Sequence, residues 1–481
     1  MTESTLKQKT ANGLFWGSIS NGAQQLISVV FGIYLARILN PSDYGLVGML
    51  AIFTGIASTI VNSGFSVALT NKRDANPDDY NAVFWFTFWM GLFLYTILFF
   101  SAPLIARFYG RPELTDLSRV LFLSFFLGGI STVSYTILFK KLMVKQQALI
   151  EIISFLTACI IGLCLALKGF AFWALAIQSV SHVALSSLLR FIIVPWKPAL
   201  TFRFSPLKQM FSFSFKLFLT QIFMQINAHF FSVILGKFYN AIQVGYYSQG
   251  QKWMAIGNSF VNGTITSVTQ PVLVQMNKDK SRQINALRRL MRFGAFISFP
   301  LMLGLAFVGK EFIIVTIGDK WLPAVPFLQL FCIWGAAGFL GTLFTNLINT
   351  YGKSNIYMHV NIAIGLLQLI TVVCMFSFGV FPMVTGYIVI NFVGLLIWQH
   401  YVHQLIGLRL RDVLKDILPY LIVTIGCFFI AWLATKNIRN LYGLLIFKVV
   451  ISATLYIVIM KLSNSIIFKE SIGFLMNRIK K

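Results

Sequence analysis

Apolar stretches recur along the whole chain, and each is about twenty residues long, enough for an α-helix to cross a hydrocarbon core ~30 Å thick. Of the 481 residues, 57% are hydrophobic and only 11% are charged. A soluble protein carries roughly 25% charged residues, because its surface must be compatible with water. The sequence therefore predicts an all-α integral membrane protein and excludes a soluble globular fold.

Hydropathy and the charge of the connecting loops predict about fourteen transmembrane helices. The predicted spans are 11–36, 44–69, 81–106, 117–138, 148–167, 171–194, 211–235, 244–270, 290–308, 323–349, 356–377, 382–406, 418–434 and 441–460. Most of the 39 Lys and Arg residues fall on one side of the membrane if the N-terminus is cytoplasmic. This bias predicts that both termini are cytoplasmic, which requires an even number of spans.

The net charge of +25 lies in short loops between apolar segments. A nucleic-acid-binding protein would instead concentrate it on one helix face or in a tail. The placement is typical of contact with anionic lipid headgroups. We therefore expect membrane lipids as partners and no nucleic acid.

A shift of the sequence by 200 residues aligns predicted spans one and two with spans seven and eight. Identical polar or small residues then coincide at four positions: Gln25 and Gln225, Asn40 and Asn240, Gly45 and Gly245, Asn62 and Asn262. Polar identities arise by chance less readily than apolar ones. The pattern predicts a parallel repeat of two six-helix lobes, 1–205 and 206–410, with a substrate site between them. Residues 411–481 supply two further helices and a cytoplasmic tail.

No pattern typical of catalysis occurs in the sequence. It lacks GxSxG, HExxH and Walker A motifs, and its 14 acidic residues lie mostly in loops. The predicted loops outside the membrane are also too short for the catalytic residues of a polysaccharide polymerase. We expect a protein that is not an enzyme and that uses no metal or other cofactor.

Polar side chains inside the predicted spans are the candidate functional residues, because each is costly in hydrocarbon. The candidate substrate pathway comprises Gln25, Asn62, Lys216, Gln221, Gln225, His229, Gln251, Lys252, Asn258 and Asn262. Gln221, Gln225 and His229 recur every four residues and so share one helix face. Such faces point into a helix bundle or a hydrated cavity; hydrogen bonds between helices are the simpler alternative.

Charged groups in the spans suggest what the cavity binds. Lys216 and Lys252 suit an anionic headgroup such as a pyrophosphate, although either could extend to the interface instead. Lys448 is expected to extend outward in this way. Glu151, His182 and His229 are candidates for ion coupling, the alternative for each His being an ordinary hydrogen-bonded residue. Glu151 and Arg190 could also be boundary charges or a pair between lobes.

Residues 30–45, VFGIYLARILNPSDYG, resemble the LAR-x-L-x-P-x-DYG junction between the first two spans of polysaccharide exporters. These exporters belong to the multidrug/oligosaccharidyl-lipid/polysaccharide superfamily. Residues 245–250, GYYSQG, are similar to the start of their eighth span. The resemblance covers essentially the whole chain, and the first motif is specific to the family but not to a substrate.

The resemblance implies two lobes around a cavity that opens alternately to each side of a bacterial inner membrane. The implied cargo is an oligosaccharide on undecaprenyl pyrophosphate, exported for O-antigen, capsule or exopolysaccharide assembly, with a polymerase and chain-length machinery as further partners. Lipid II flippases of the superfamily place arginines on spans one, two and eight, where this chain has only Arg37, at a boundary. A cation-coupled multidrug exporter is the other alternative, but it would favour carboxylates within the spans.

Overall fold

The computed structural model describes residues 3–62, 64–72, 74–200, 203, 205–275, 280–463 and 467–469. Over these residues the protein is helical, and none of them forms a β-strand. The chain divides into two compact units, Met1–Gly245 and Tyr246–Lys481.

Among the described residues, the first unit contains nine helices and the start of a tenth. These are α1 (Glu3–Ile38), α2 (Pro41–Met49), α3 (Ala51–Asn62), α4 (Gly64–Asn71), α5 (Pro77–Tyr109), α6 (Leu114–Lys140), α7 (Val144–Leu167), α8 (Phe172–Ile193), α9 (Ser205–Phe238) and α10 (Ala241–Gln275), which continues into the second unit. Proline occupies the first position of α2 and of α5, where its missing N–H costs no helical hydrogen bond. Gly110 ends α5 with a φ of 65°, which suits glycine.

The described part of the second unit continues with eight further α-helices. They are α11 (Lys280–Ser298), α12 (Gly304–Phe307), α13 (Gly309–Ile317), α14 (Val325–Thr350), α15 (Ser354–Met375), α16 (Val380–Ile406), α17 (Leu410–Thr435) and α18 (Leu441–Leu462). A π-helical turn, Phe299–Leu303, joins α11 to α12, so that α11 to α13 form one interrupted path.

Twelve helices among the described residues are long and apolar enough to cross a membrane. The protein is therefore a multi-pass membrane protein. The two long helices outside this set are α9, of 34 residues, and α10, of 35 residues. They are the polar helices predicted as spans seven and eight, so the count of fourteen stays a prediction, as do the lobe boundaries at 205 and 410.

In the first unit, α5 packs on α6 and α7 packs on α8, while α9 lies against α3, α4 and α5. The core between these helices is closed by fully buried apolar side chains, among them Leu69, Val83 and Leu138. Because α9 carries Gln225 and His229, its contact with α3 brings polar side chains into the interior of this unit.

The starts of α2 and α10 have matching local structure. Asn40 and Asp43 form a capping box before α2, in which the Asn40 side chain accepts from the backbone N–H of Asp43 and the backbone N–H of Asn40 donates to Asp43 Oδ2 over 2.8 Å. Before α10, the side chain of Asn240 accepts from the N–H of Gln243 over 2.9 Å. Asparagine before a helix satisfies N–H groups that have no helical partner. Helix capping therefore gives a structural reason for asparagine at both position 40 and position 240, whereas the repeat itself stays a prediction.

Two sets of ion pairs attach α17 and α18 to the path formed by α11 to α13. Asp416 Oδ2 accepts from Arg288 Nε over 2.6 Å, and its Oδ1 lies 3.2 Å from Arg292 Nε. Lys448 Nζ donates to Glu311 Oε1 over 2.8 Å, with both side chains at most 10% exposed. The expectation that Lys448 extends outward was wrong, because Glu311 lies within α13 rather than in a loop and neutralises it.

Candidate substrate cavity

A cavity of about 340 Å³ lies inside the first unit, between α3, α6, α8 and α9. Its hydrogen-bonding groups come from three of these helices: Thr54 and Ser58 from α3, Ser124 from α6 and His229 from α9. Val183 of α8 completes the wall. Hydroxyl and imidazole groups around a space of this size can hold water or part of a polar ligand.

Glycine at position 55 permits α9 to approach α3 at this cavity. A Cβ added to Gly55 would lie 2.6 Å from Gln225 Oε1 and 3.2 Å from His229 Cδ2. Any larger residue would displace the two side chains. The structure thus brings together two of the predicted pathway residues of span seven, which lie one helical turn apart on the face that meets α3.

Glu151 of α7 lies between two basic side chains of α8. Its Oε1 accepts a hydrogen bond from the Arg190 guanidinium, and its Oε2 lies 3.5 Å from His182 Nε2. All three side chains are largely buried, at 19%, 14% and 30% exposure for Glu151, Arg190 and His182. The ion pair between Glu151 and Arg190 therefore lies within the first unit and does not join two lobes.

The predicted residues of span eight lie on α10 in the second unit. Lys252, Gln251 and Asn258 are half-buried, and Asn262 Oδ1 lies 3.5 Å from Thr342 Oγ1 of α14. The Oδ1 atom of Asn258 is inaccessible and has no hydrogen-bond partner among the described residues. This part of α10 therefore carries an unsatisfied amide, which is typical of a site that holds water or a ligand.

The remaining predicted pathway residues are less informative. Gln25 is half-buried on α1, and Gln221 is exposed on α9. The side chains of Asn62 and Lys216 lie outside the described part of the structure. Their role in the pathway stays a prediction.

The predicted pathway includes neither Gln249, one of the polar residues of span eight, nor Gly55. Gln249 is 1% exposed, and neither its amide nitrogen nor its oxygen has a hydrogen-bond partner among the described residues. Its position within a span was visible in the sequence, but its burial was not. No sequence pattern separates Gly55 from other helix glycines, because its importance comes from a helix 170 residues further along the chain.

A larger groove, of about 570 Å³, lies between α15 and α16 in the second unit. Its two hydroxyl groups are already bonded within their own helices, Thr371 to the carbonyl of Leu367 and Thr385 to that of Phe381. The other wall residues are apolar or backbone. In the first-unit cavity, Thr54 and Ser124 likewise donate to carbonyls of their own helices, those of Ala51 and Leu121. The groove differs from that cavity because no imidazole occurs among its lining residues, and its apolar wall suits hydrocarbon chains.

The fold is shared with solved membrane transporters. The lipid II flippase MurJ in an inward closed conformation superposes with a TM-score of 0.76, covering 95% of this chain and all of that chain, at 17% sequence identity. At this identity the likeness defines the fold class alone. The protein thus has the helical transporter fold, with a polar cavity inside its first unit.

Sequence comparison then identifies the family. The model of the polysaccharide biosynthesis protein family matches residues 34–326, so this chain belongs to that family. It is 26% identical to the teichuronic acid biosynthesis protein TuaB of Bacillus subtilis, over 89% of both chains. It is 25% identical to the succinoglycan biosynthesis transport protein ExoT of Rhizobium meliloti, over 69% of this chain and 67% of that protein.

Proposed function

We propose that this protein is a flippase that exports oligosaccharide repeat units linked to undecaprenyl pyrophosphate, by alternating access. The polar cavity in the first unit is the observation that carries the proposal. In a chain of the polysaccharide biosynthesis family, this cavity offers a place within the membrane where the hydroxyl groups of a cargo can exchange hydrogen bonds with water for hydrogen bonds with the protein. The names of TuaB and ExoT, which refer to polysaccharide biosynthesis and transport, support the same class of cargo.

The pathway in this proposal combines two groups of residues. His229 lines the cavity, and Gln225 lies one turn before it on the same face of α9. Amide and cationic groups on α10 come from Gln251, Lys252, Asn258 and Asn262. Gln25, Gln221, Asn62 and Lys216 are retained as predicted members of the same pathway. Amide and hydroxyl groups bind sugar hydroxyls, while a lysine offers a point charge to the pyrophosphate.

The cellular setting is part of the proposal. The protein is placed in a bacterial inner membrane with both termini in the cytoplasm, as the loop charge predicts. Its partners are the lipid-linked cargo, membrane lipids, a polysaccharide polymerase and the chain-length machinery. It has no enzymatic step of its own, and coupling to an ion gradient is proposed at Glu151, His182 and His229.

The direct test is to delete the gene in its host and locate the lipid-linked repeat units. We expect them to accumulate on the cytoplasmic leaflet and to be released when the wild-type protein is restored. Lys252→Ala should restore release less well, at an equal amount of protein in the membrane. Normal surface polysaccharide in the deletion strain would overturn the proposal, and accumulation of peptidoglycan precursor instead would indicate a lipid II flippase.

A further inference from the structure

We infer that Arg190 is a binding site for the pyrophosphate of the lipid-linked cargo, with Glu151 as an internal counter-ion that the cargo displaces. This inference rests on the proposed function and assigns to that function a residue that lies outside the predicted pathway. It adds a guanidinium, the side chain best suited to phosphate, to a pathway that otherwise consists of lysines, amides and one histidine.

Arg190 lies on the helix face that also forms the cavity wall. Val183 lines the cavity, and Ser187 and Arg190 follow it at spacings of four and three residues, which keeps them on one side of α8. The rise of a helix places Arg190 about 10 Å beyond Val183, toward the predicted cytoplasmic end of α8.

α6 presents a matching face to α8 along the same path. Gly128 lines the cavity, Ser131 Oγ accepts from Ser187 Oγ over 3.0 Å, and the ring of Tyr135 lies 5.2 Å from the guanidinium carbon of Arg190. The two helices thus pack face to face from the cavity to Arg190, and the buried hydrogen bond between Ser187 and Ser131 lies between these two ends. Stacking on an aromatic ring fixes the plane of a guanidinium and so orients its donors.

The guanidinium has donor capacity left for a ligand. One NH2 group of Arg190 bonds to Glu151, while its Nε is buried and has no hydrogen-bond partner among the described residues. His182 Nε2 is also buried and, at 3.5 Å from Glu151, is beyond an ordinary hydrogen bond. Arg190 Nε and His182 Nε2 thus lie beside one carboxylate without an ordinary hydrogen bond. A ligand with more acceptor oxygens than a carboxylate could bond to both nitrogens.

Glu151 explains how the site exists without its ligand. A guanidinium alone inside a membrane span is costly, so a resident carboxylate must neutralise it. Arg190 and His182 of α8 both lie beside this carboxylate, and the ring of Tyr135 from α6 lies against the guanidinium of Arg190. A diphosphate carries more negative charge and more acceptor oxygens than one carboxylate, and it can therefore take over the guanidinium.

Binding of a short prenyl diphosphate to the purified full-length protein tests this inference. The probe is farnesyl pyrophosphate, and the protein is held in nanodiscs of phosphatidylcholine. Farnesyl monophosphate and farnesol serve as reference ligands. We expect the affinity to fall from diphosphate to monophosphate and to be absent for farnesol. Repeating the titration with phosphatidylglycerol in the disc separates a carrier diphosphate from an anionic lipid headgroup as the occupant.

Arg190→Gln should weaken diphosphate binding roughly tenfold or more, because charge-assisted hydrogen bonds are lost. Arg190→Lys should recover part of the lost affinity, because it restores the positive charge. Glu151→Gln should strengthen binding several-fold, because the competing carboxylate is gone, and Glu151→Asp should have a smaller effect in the same direction. Arg119→Gln is the matched control, since Arg119 also lies over a ring, that of Phe99, beside an acid, Asp116.

Unchanged binding in Arg190→Gln would overturn the site, and weaker binding in Glu151→Gln or Glu151→Asp would overturn displacement, since Glu151 would then only position the arginine. If phosphatidylglycerol in the disc lowers the affinity for farnesyl pyrophosphate as much as Arg190→Gln does, an anionic lipid headgroup occupies the site. That result would also overturn the inference. If wild-type protein binds no diphosphate but its deletion still traps repeat units, this site fails while the proposed function stands.

Discussion

Gly45 and Gly245 each pack against the main-chain carbonyl at the start of the other's helix. A Cβ added to Gly45 would lie 1.7 Å from the carbonyl oxygen of Ala241, the first residue of α10. A Cβ added to Gly245 would lie 2.0 Å from that of Pro41, the first residue of α2. The two contacts are reciprocal and are related by the 200-residue shift that predicts the repeat, and each leaves no room for a side chain larger than that of glycine.

Gly45→Ala and Gly245→Ala should therefore destabilise the protein to a similar extent. Overpacking commonly costs about 1–3 kcal/mol, and a backbone oxygen cannot move aside as a side chain can. The measurement is the temperature at which half of the detergent-solubilised protein remains monodisperse. Gly22→Ala, where nothing lies within 4 Å of the added Cβ, is the control and should change little. If the three variants behave alike, the close contact is not real.

Substitution at Gly55 should affect transport more than folding. In Gly55→Ala the added methyl group meets the far end of Gln225 and the ring of His229, which can shift into the cavity. We expect a clear decrease in released polysaccharide, with the amount of folded protein reduced much less. Quantifying both in the complemented deletion strain checks this. Equal loss of folded protein and of release would instead give Gly55 a purely structural role.

Removal of one partner of the Lys448–Glu311 pair should be far more harmful than removal of both. Lys448→Met leaves a buried carboxylate without its cation, which costs about 3–5 kcal/mol in comparable cases. Adding Glu311→Met to the same chain should recover most of the lost thermal stability. A double variant no more stable than Lys448→Met would mean that the two charges do not neutralise each other.

Asp416 should be the most sensitive member of its ion-pair cluster. Its carboxylate is 6% exposed and neutralises two arginines, whereas Arg288 and Arg292 are each about one-third exposed. Asp416→Asn should therefore lower the midpoint of thermal unfolding more than Arg288→Gln does. The reverse order would show that Arg288 is anchored by groups other than Asp416.

Much of the fold was predictable because the membrane restricts backbone structure so strongly. Lengths of apolar sequence located twelve spans, since each backbone polar group must bond within its own helix. The polar helices α9 and α10 are harder to assign, because the same polar residues that suggest a cavity lower their hydropathy. Glu311 falls between the predicted spans 290–308 and 323–349, whereas the structure places it at the start of α13.

The partners of polar residues could not be predicted from spacing within one helix. The four-residue recurrence of Gln225 and His229 identified their shared face, but the glycine that receives them belongs to another helix. Similarly, Glu151 and Arg190 are 39 residues apart, and only the packing of α7 on α8 joins them. Helical periodicity defines a face, whereas tertiary packing decides what that face meets.

The central claim is that a hydrated, polar space lies within the helices of the first unit. Thiol labelling tests it, in a background where the five native cysteines, Cys159, Cys164, Cys332, Cys374 and Cys427, have been replaced. Ser58→Cys places a thiol in the cavity, and Ile97→Cys places one on the exposed apolar stripe of α5 as the control. A thiol ionises and reacts in water but is inert in apolar surroundings. We predict that a membrane-impermeant thiosulfonate modifies the thiol of Ser58→Cys roughly tenfold faster, or more, than that of Ile97→Cys. Equal, slow rates of modification at the two positions would contradict the claim.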